Sequence, residues 1–188
     1  MNERLGSAPF SGSYRPGDVQ FLLKPIEIDP IDVAEKERLI QSGRRHYSEM
    51  LSRESLPSAR YLEVFQRALA MGLRPMAQGV LDLAAIIAAR RPGEITLVSL
   101  ARAGTPVGVA LKHVLREIFG RASEHYSISI IRDRGIDRNA LRFILDRAGR
   151  DPAGLVFVDG WTGKGVIARE LRRALDDFEH DHGVRLDA

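Results

Sequence analysis

From residue 94 onward, apolar runs and amphipathic stretches alternate three times. "EITLVSLARAG" precedes "TPVGVALKHVLREIFG", "HYSISIIRDRG" precedes "IDRNALRFILDRAG", and "GLVFVDGWTGKG" precedes "VIARELRRALDDF". Continuous apolar runs of strand length, each followed by a stretch of helical period, are the pattern of βα units in a parallel sheet. Strands are therefore expected near residues 96–100, 127–131 and 155–158. Gly120 and Gly149 read as left-handed stops after the first two helices, and Thr105 before Pro106 reads as an N-cap with proline in first helical position. In the last helix Ile167, Leu171, Ala174, Leu175 and Phe178 recur at helical spacing and form its core stripe.

Earlier in the chain the pattern is mainly helical. Pro9, Pro16, Pro25 and Pro30 break residues 1–30 into an arm, within which "VQFLLKPIEI" offers an edge strand ending at Pro25. Residues 31–52 read as a helix interrupted near Gly43, and residues 61–70 and 76–89 read as two more, split by "GLRP". The expected organisation is an arm and helical region over residues 1–93, packed on a βα core over residues 94–188. A sheet of three strands leaves an edge bare, so further strands are expected from the arm, from a partner subunit or from residues missing through truncation at the C-terminus.

Composition narrows the chemistry. The 188 residues are 44% hydrophobic and 28% charged, enough for one globular domain with a real core. Basic residues number 28 against 25 acids, and they are scattered, so a nucleic-acid interface is not expected. Cysteine is absent, which removes disulfides, thiolate metal sites and a thiolate nucleophile within the chain. The start "MNERLGSAPFSGSY" has no apolar signal region, and "GVLDLAAIIAA" is short and interrupted by Asp82. Neither a secretion signal nor a membrane span is expected, and a cytoplasmic location follows. "EHDHG", with His180 and His182, reads as solvated charge rather than a metal site, and His46 and Tyr47 as packing or surface residues.

Candidate chemistry gathers at the ends of the three strands, where ligands of open α/β sheets collect. The third offers Asp159, Gly160, Trp161, Thr162, Gly163, Lys164 and Gly165, and serial glycines before a helix N-terminus suit a phosphate. Lys164 is one of only four lysines, and it lies between two of those glycines. A carboxylate such as Asp159 suits ribose hydroxyls or a magnesium ion. This is not a Walker A loop, because Val158 stands where that motif needs glycine and Gly165 where it needs Ser or Thr. Trp161 is expected to be buried, with stacking on a base as the alternative. The first strand end offers Arg102, Ala103, Gly104 and Thr105, either a second anion site or an ordinary capped helix start. The second offers Arg132, Asp133 and Arg134, a solvated cluster unless its strand lies between the others, in which case two guanidinium groups can grip phosphate oxygens.

"VFVDGWTGKGVIARELRRAL" resembles the phosphoribosyl pyrophosphate motif of type I phosphoribosyltransferases, and "LVSLARAGTPVGVALKHVL" resembles their pyrophosphate-loop unit. "FSGSY", "DVQFLLKPI", "EKERLIQSGRRHYSEML" and "HYSISIIRDRGID" extend the resemblance to one bacterial branch. Its members belong to tellurite and stress-response operons and are often labelled "cysteine protease StiP". The resemblance implies a phosphoribosyltransferase-type, Rossmann-like sheet with a helical N-terminal extension. It also implies a glycosyltransferase reaction in which phosphoribosyl pyrophosphate and Mg2+, held through the ligand's phosphates, meet an unidentified base-like acceptor and release pyrophosphate. Asp159 would hold the ribose hydroxyls, residues 162–165 the 5′-phosphate, and residues 102–104 the pyrophosphate, with Arg102 and Asp159 catalytic. One departure is Gly160, where such enzymes carry a second acid, and another is Lys164 in the phosphate loop. They bring in a non-catalytic nucleotide or phosphosugar sensor as the alternative. Without cysteine, the protease label is not expected to describe this chain. The partner implied is a small phosphosugar or nucleotide, with a homo-oligomer left open.

Overall fold

The computed structural model of the chain describes residues 10–186; the first nine residues, part of the segment read above for a signal, lie outside them. Pro25–Pro75 forms one compact unit, and the described residues on either side of it form the other.

In Pro25–Pro75, the Asp32 carboxylate accepts from the Ala34 amide at 2.8 Å and starts helix α1, Val33–Gln41. The chain then leaves the helix through Gly43, whose φ of 66° costs glycine little. Ile31 and Ser52 close the segment as an isolated parallel bridge. Helix α2, Ala59–Arg90, begins in this unit and runs on unbroken. The two helices expected on either side of "GLRP" are therefore one. Pro75 forfeits a single backbone donor, and flanking Leu73, Arg74, Met76, Ala77 and Gln78 are strong helix formers that sustain the rest of the ladder.

The other unit is an α/β sheet. Strands β1 (Gln20–Phe21), β2 (Thr96–Ala101), β3 (Glu124–Ile131) and β5 (Leu155–Val158) lie in the order β1-β3-β2-β5, all parallel. The arm thus supplies the strand beside β3, as "VQFLLKPI" suggests. A two-residue strand β4, Gly135–Ile136, turns back antiparallel on β3. Helices α3 (Gly104–Glu117), α4 (Arg138–Arg142) and α5 (Val166–His182) follow the three main strands. The five residues after α4, Phe143–Arg147, continue it as a π-helical turn.

Central β2 is buried from Thr96 to Leu100, because it has a strand on each side and a hydrophobic layer on each face. Val98, Leu100, Tyr126 and Ile128 pack on one face with Leu141, Ile144, Leu171, Leu175 and Phe178. Leu97 and Ile95 pack on the other with Val80, Ala84, Leu111 and Leu115. The expected stripe of α5 is the observed one, with Ile167 at its partly buried end. Gly120 and Gly149 take φ of 61° and 63° after their helices.

Candidate functional site

Parallel pairing sets the three loops after β2, β3 and β5 along one edge of the sheet. Ser99 is in register with Val158 and with Ser127, so the loops leave their strands side by side. The first and third are locked backbone to backbone. A Cβ on Gly104 would sit 2.1 Å from the Val158 carbonyl oxygen, and one on Gly160 would sit 2.0 Å from the Ala103 carbonyl oxygen. Both glycines are required because no side-chain atom fits where two main chains meet.

Around that contact the third loop is built from its own hydrogen bonds. The Asp159 carboxylate accepts from the Trp161 amide at 3.0 Å, Gly165 N donates to the Thr162 carbonyl at 2.9 Å, and Gly165 enters α5 with φ of 73°. Arg169 donates to the Lys164 carbonyl at 3.1 Å and steadies the loop from the helix side. Arg102, Thr162 and Lys164 are exposed, and neither cation forms an ion pair among the described residues. The edge therefore presents two positive side chains beside the N-termini of α3 and α5, a field that favours an anion.

Several expectations change here. Thr105 is not the N-cap: α3 already starts at Gly104, and the buried Thr105 hydroxyl pairs sideways with Ser127 Oγ at 2.8 Å. The strand neighbour wins because both hydroxyls are shut off from water and each needs a partner. Trp161 is 77% exposed rather than buried. Its loop is held by backbone bonds and leaves the indole nothing to pack under. Arg132, Asp133 and Arg134 form the exposed turn between β3 and β4, with Asp133 at φ 64°. In the order β1-β3-β2-β5 it is β2, not β3, that lies between the other two βα strands, so the condition for this trio to join the site is not met. At the far end of α5, His182 stacks on Phe178 with centroids 4.2 Å apart, and Arg138 pairs with Asp181 at 2.5 Å. His46 accepts from the Ser48 amide.

One constellation had no expectation attached to it. Ser99 Oγ lies 2.8 Å from His125 Nε2, and His125 Nδ1 donates to the Asp18 main-chain carbonyl at 2.9 Å. Burial pushes the His125 imidazole down to a pKa of about 4. The Asp18 carboxylate meets His113 Nε2 at 2.9 Å, and Lys112 Nζ donates to the Gly17 carbonyl at 2.7 Å. A cavity of about 650 Å3 lies beside this group, lined by the arm with Lys112, Glu124 and His125, away from the glycine lock. The available signal was a histidine and three serines inside apolar strand runs, "HYSIS" and "LVSLA".

A family model for the tellurite-like stress resistance cysteine protease StiP matches residues 12–187. The protein named "Cysteine protease StiP" of Acinetobacter baylyi is 54% identical over 166 residues, which cover 88% of this chain and 43% of that relative. This chain thus spans less than half the length of the curated relative it matches. No solved structure matches. These names overturn the expected phosphoribosyltransferase, with its glycosyl transfer and phosphoribosyl pyrophosphate, and the non-catalytic alternative, since family and relative are named for proteolysis. They equally overturn the expectation that the protease label does not apply. The loops that carry the resemblance report the sheet edge and not the reaction. By a match over nearly its whole length, the chain belongs to the StiP family of tellurite-like stress-resistance proteins.

Proposed function

We propose that this chain serves a tellurite-like stress response as the part of a StiP-type protease that binds a small phosphate-bearing anion. The observation that carries the reading is the glycine lock. Gly104 and Gly160 press the start of α3 against the loop that leads into α5, so the exposed Arg102 and Lys164 lie on two loops that meet beside helix N-termini. Asp159 spends a carboxylate oxygen on shaping the loop and leaves its second for a ligand hydroxyl. A nucleotide or phosphosugar has the matching combination of phosphate and hydroxyl groups. No cluster of three His, Asp or Glu side chains suited to a metal gathers among the described residues, so Mg2+ would arrive on the ligand's phosphates.

Peptide hydrolysis, the activity in the family's name, would belong to the whole protein, since this chain spans 43% of the relative so named. A thiolate for that reaction would have to be supplied from outside these 188 residues, which contain no cysteine. Anion binding would then govern or accompany proteolysis. Titrating the protein with inorganic pyrophosphate, with and without Mg2+, tests the anion site by calorimetry. Saturable binding that weakens about tenfold in Lys164→Ala or Arg102→Ala, roughly 1.4 kcal/mol, is expected. Equal heats for wild type and both variants would remove the site.

A further inference from the structure

Ser99 has one hydroxyl proton and two acceptors in reach. His125 Nε2 lies 2.8 Å from its oxygen and the Gly104 carbonyl 3.1 Å from it. The state of the imidazole decides between them. A main-chain carbonyl only accepts, so the 2.9 Å contact with Asp18 O requires the proton on Nδ1. Neutral His125 then has a bare Nε2, and Ser99 donates to it. If the arm lifts and Asp18 O departs, Nδ1 loses its acceptor. The proton can then reside on Nε2 and donate to Ser99 Oγ, and the serine proton turns to Gly104 O.

The surroundings make this a choice of two states. With the arm docked, Ser99 is fully buried and His125 is 2% exposed, so their partners are protein groups and not water. Helix α3 closes over the pair at Gly108, where a Cβ would fall 2.2 Å from Ser99 Oγ and 2.4 Å from His125 Nε2. Gly104 is both the first residue of α3 and half of the glycine lock, so a change at its carbonyl acts on the loop itself. At the other end the arm is tied by separate contacts, Lys112 to Gly17 O and His113 to Asp18.

We propose that Ser99 and His125 are positioning residues that couple docking of the N-terminal arm to the loop at residues 101–105. With the arm docked, Ser99 donates to His125; with the arm lifted, it donates to Gly104 O. The consequence for ligand rests on the anion site argued above, whereas the coupling itself needs no ligand.

The test uses the whole chain and the double variant Asp18→Ala/Lys112→Ala, which loosens the arm and leaves Ser99, His125 and both loops unchanged. Amide hydrogen exchange without ligand should quicken over residues 10–24. Protection at residues 101–105 should change by about tenfold with it. In a Ser99→Ala background the same loosening should speed the arm but leave residues 101–105 as they are in Ser99→Ala alone. Nitrogen-15 shifts of His125 should report a protonated Nδ1 in the wild type and a protonated Nε2 in the double variant, a readout that holds even if Ser99→Ala fails to fold. Equal loop changes with and without Ser99, a loop indifferent to the arm, or Nδ1 protonated throughout would each overturn the coupling. Pyrophosphate titration is read separately: its failure overturns the anion site, and failed exchange coupling overturns the relay.

Discussion

Acid should unfold this protein through His125 in a predictable window. An ordinary histidine, as in the unfolded chain, takes its proton near pH 6.5, whereas burial delays that step to about pH 4 in the fold. Between those two values the unfolded chain binds more protons than the native one, so native stability falls as pH falls and levels off below about 4. Each pH unit of displacement is about 1.4 kcal/mol, and 6.5 minus 4 gives about 3 kcal/mol for this one group. The Asp18 main-chain oxygen and carboxylate oppose the shift, and Lys112 adds to it. Carboxylates elsewhere titrate in the same range, so the measurement is a difference. Urea unfolding from pH 7.5 to 4 is compared for wild type and His125→Gln. Wild type should lose about 3 kcal/mol more than the variant across that range. Parallel curves for the two proteins would show that the imidazole is not held neutral by the fold, and the proton assignment on which the Ser99 argument stands would go with it.

Other outcomes follow from single residues. Gly160→Ala places a Cβ 2.0 Å from the Ala103 carbonyl, so the two loops must part; thermal unfolding should show a loss of about 1–3 kcal/mol, along with lost pyrophosphate binding. An unchanged melting temperature would mean the lock is loose. Phe178→Ala removes a ring that is 1% exposed in the core and stacked on His182, and urea unfolding should register a loss of about 3–5 kcal/mol. Trp161 is the sole tryptophan and is 77% exposed, so native emission should already be that of a solvated indole and should change on pyrophosphate addition. Emission indifferent to a ligand that binds by calorimetry would place the anion elsewhere.

The three βα units were legible because each signal is local. An apolar run, a glycine-bearing turn and a 3.6-residue period all lie within about 30 residues, and burial of β2 on both faces follows from its uninterrupted apolar run. Glycines at 104 and 160 were visible as loop glycines, but the reason for them was not, since each makes way for the other loop's backbone. The Ser99–His125 bond spans 26 residues, and its Asp18 partner lies 107 residues from His125. Nothing in either strand's pattern names such a partner. Thr105 shows the same limit from the other side: the capping rule weighs a hydroxyl against its own helix, and here Ser127 on a neighbouring strand takes it. Pro75 misled because a helix breaker is judged by its own lost bond, whereas the helix is held by good formers on both sides.

Access and reactivity are separated in this chain. Ser99 and His125 stand at the distance of a nucleophile and its base, but Ser99 is fully buried beneath Gly108 and the imidazole is turned to the arm, so a peptide substrate has no approach. Even a thiol at position 99 would be sealed from a scissile bond. The glycine-locked edge has the opposite character: its loops expose Arg102, Thr162 and Lys164 beside the starts of two helices, yet they carry no histidine. Anion recognition asks for fixed dipoles and charge, which this edge has, while thiolate chemistry asks for a nucleophile next to a base. A family named for cysteine proteolysis can hold both only by housing them in different places. On the proposed relay, a ligand held at this edge would be felt at the arm through Gly104, Ser99 and His125.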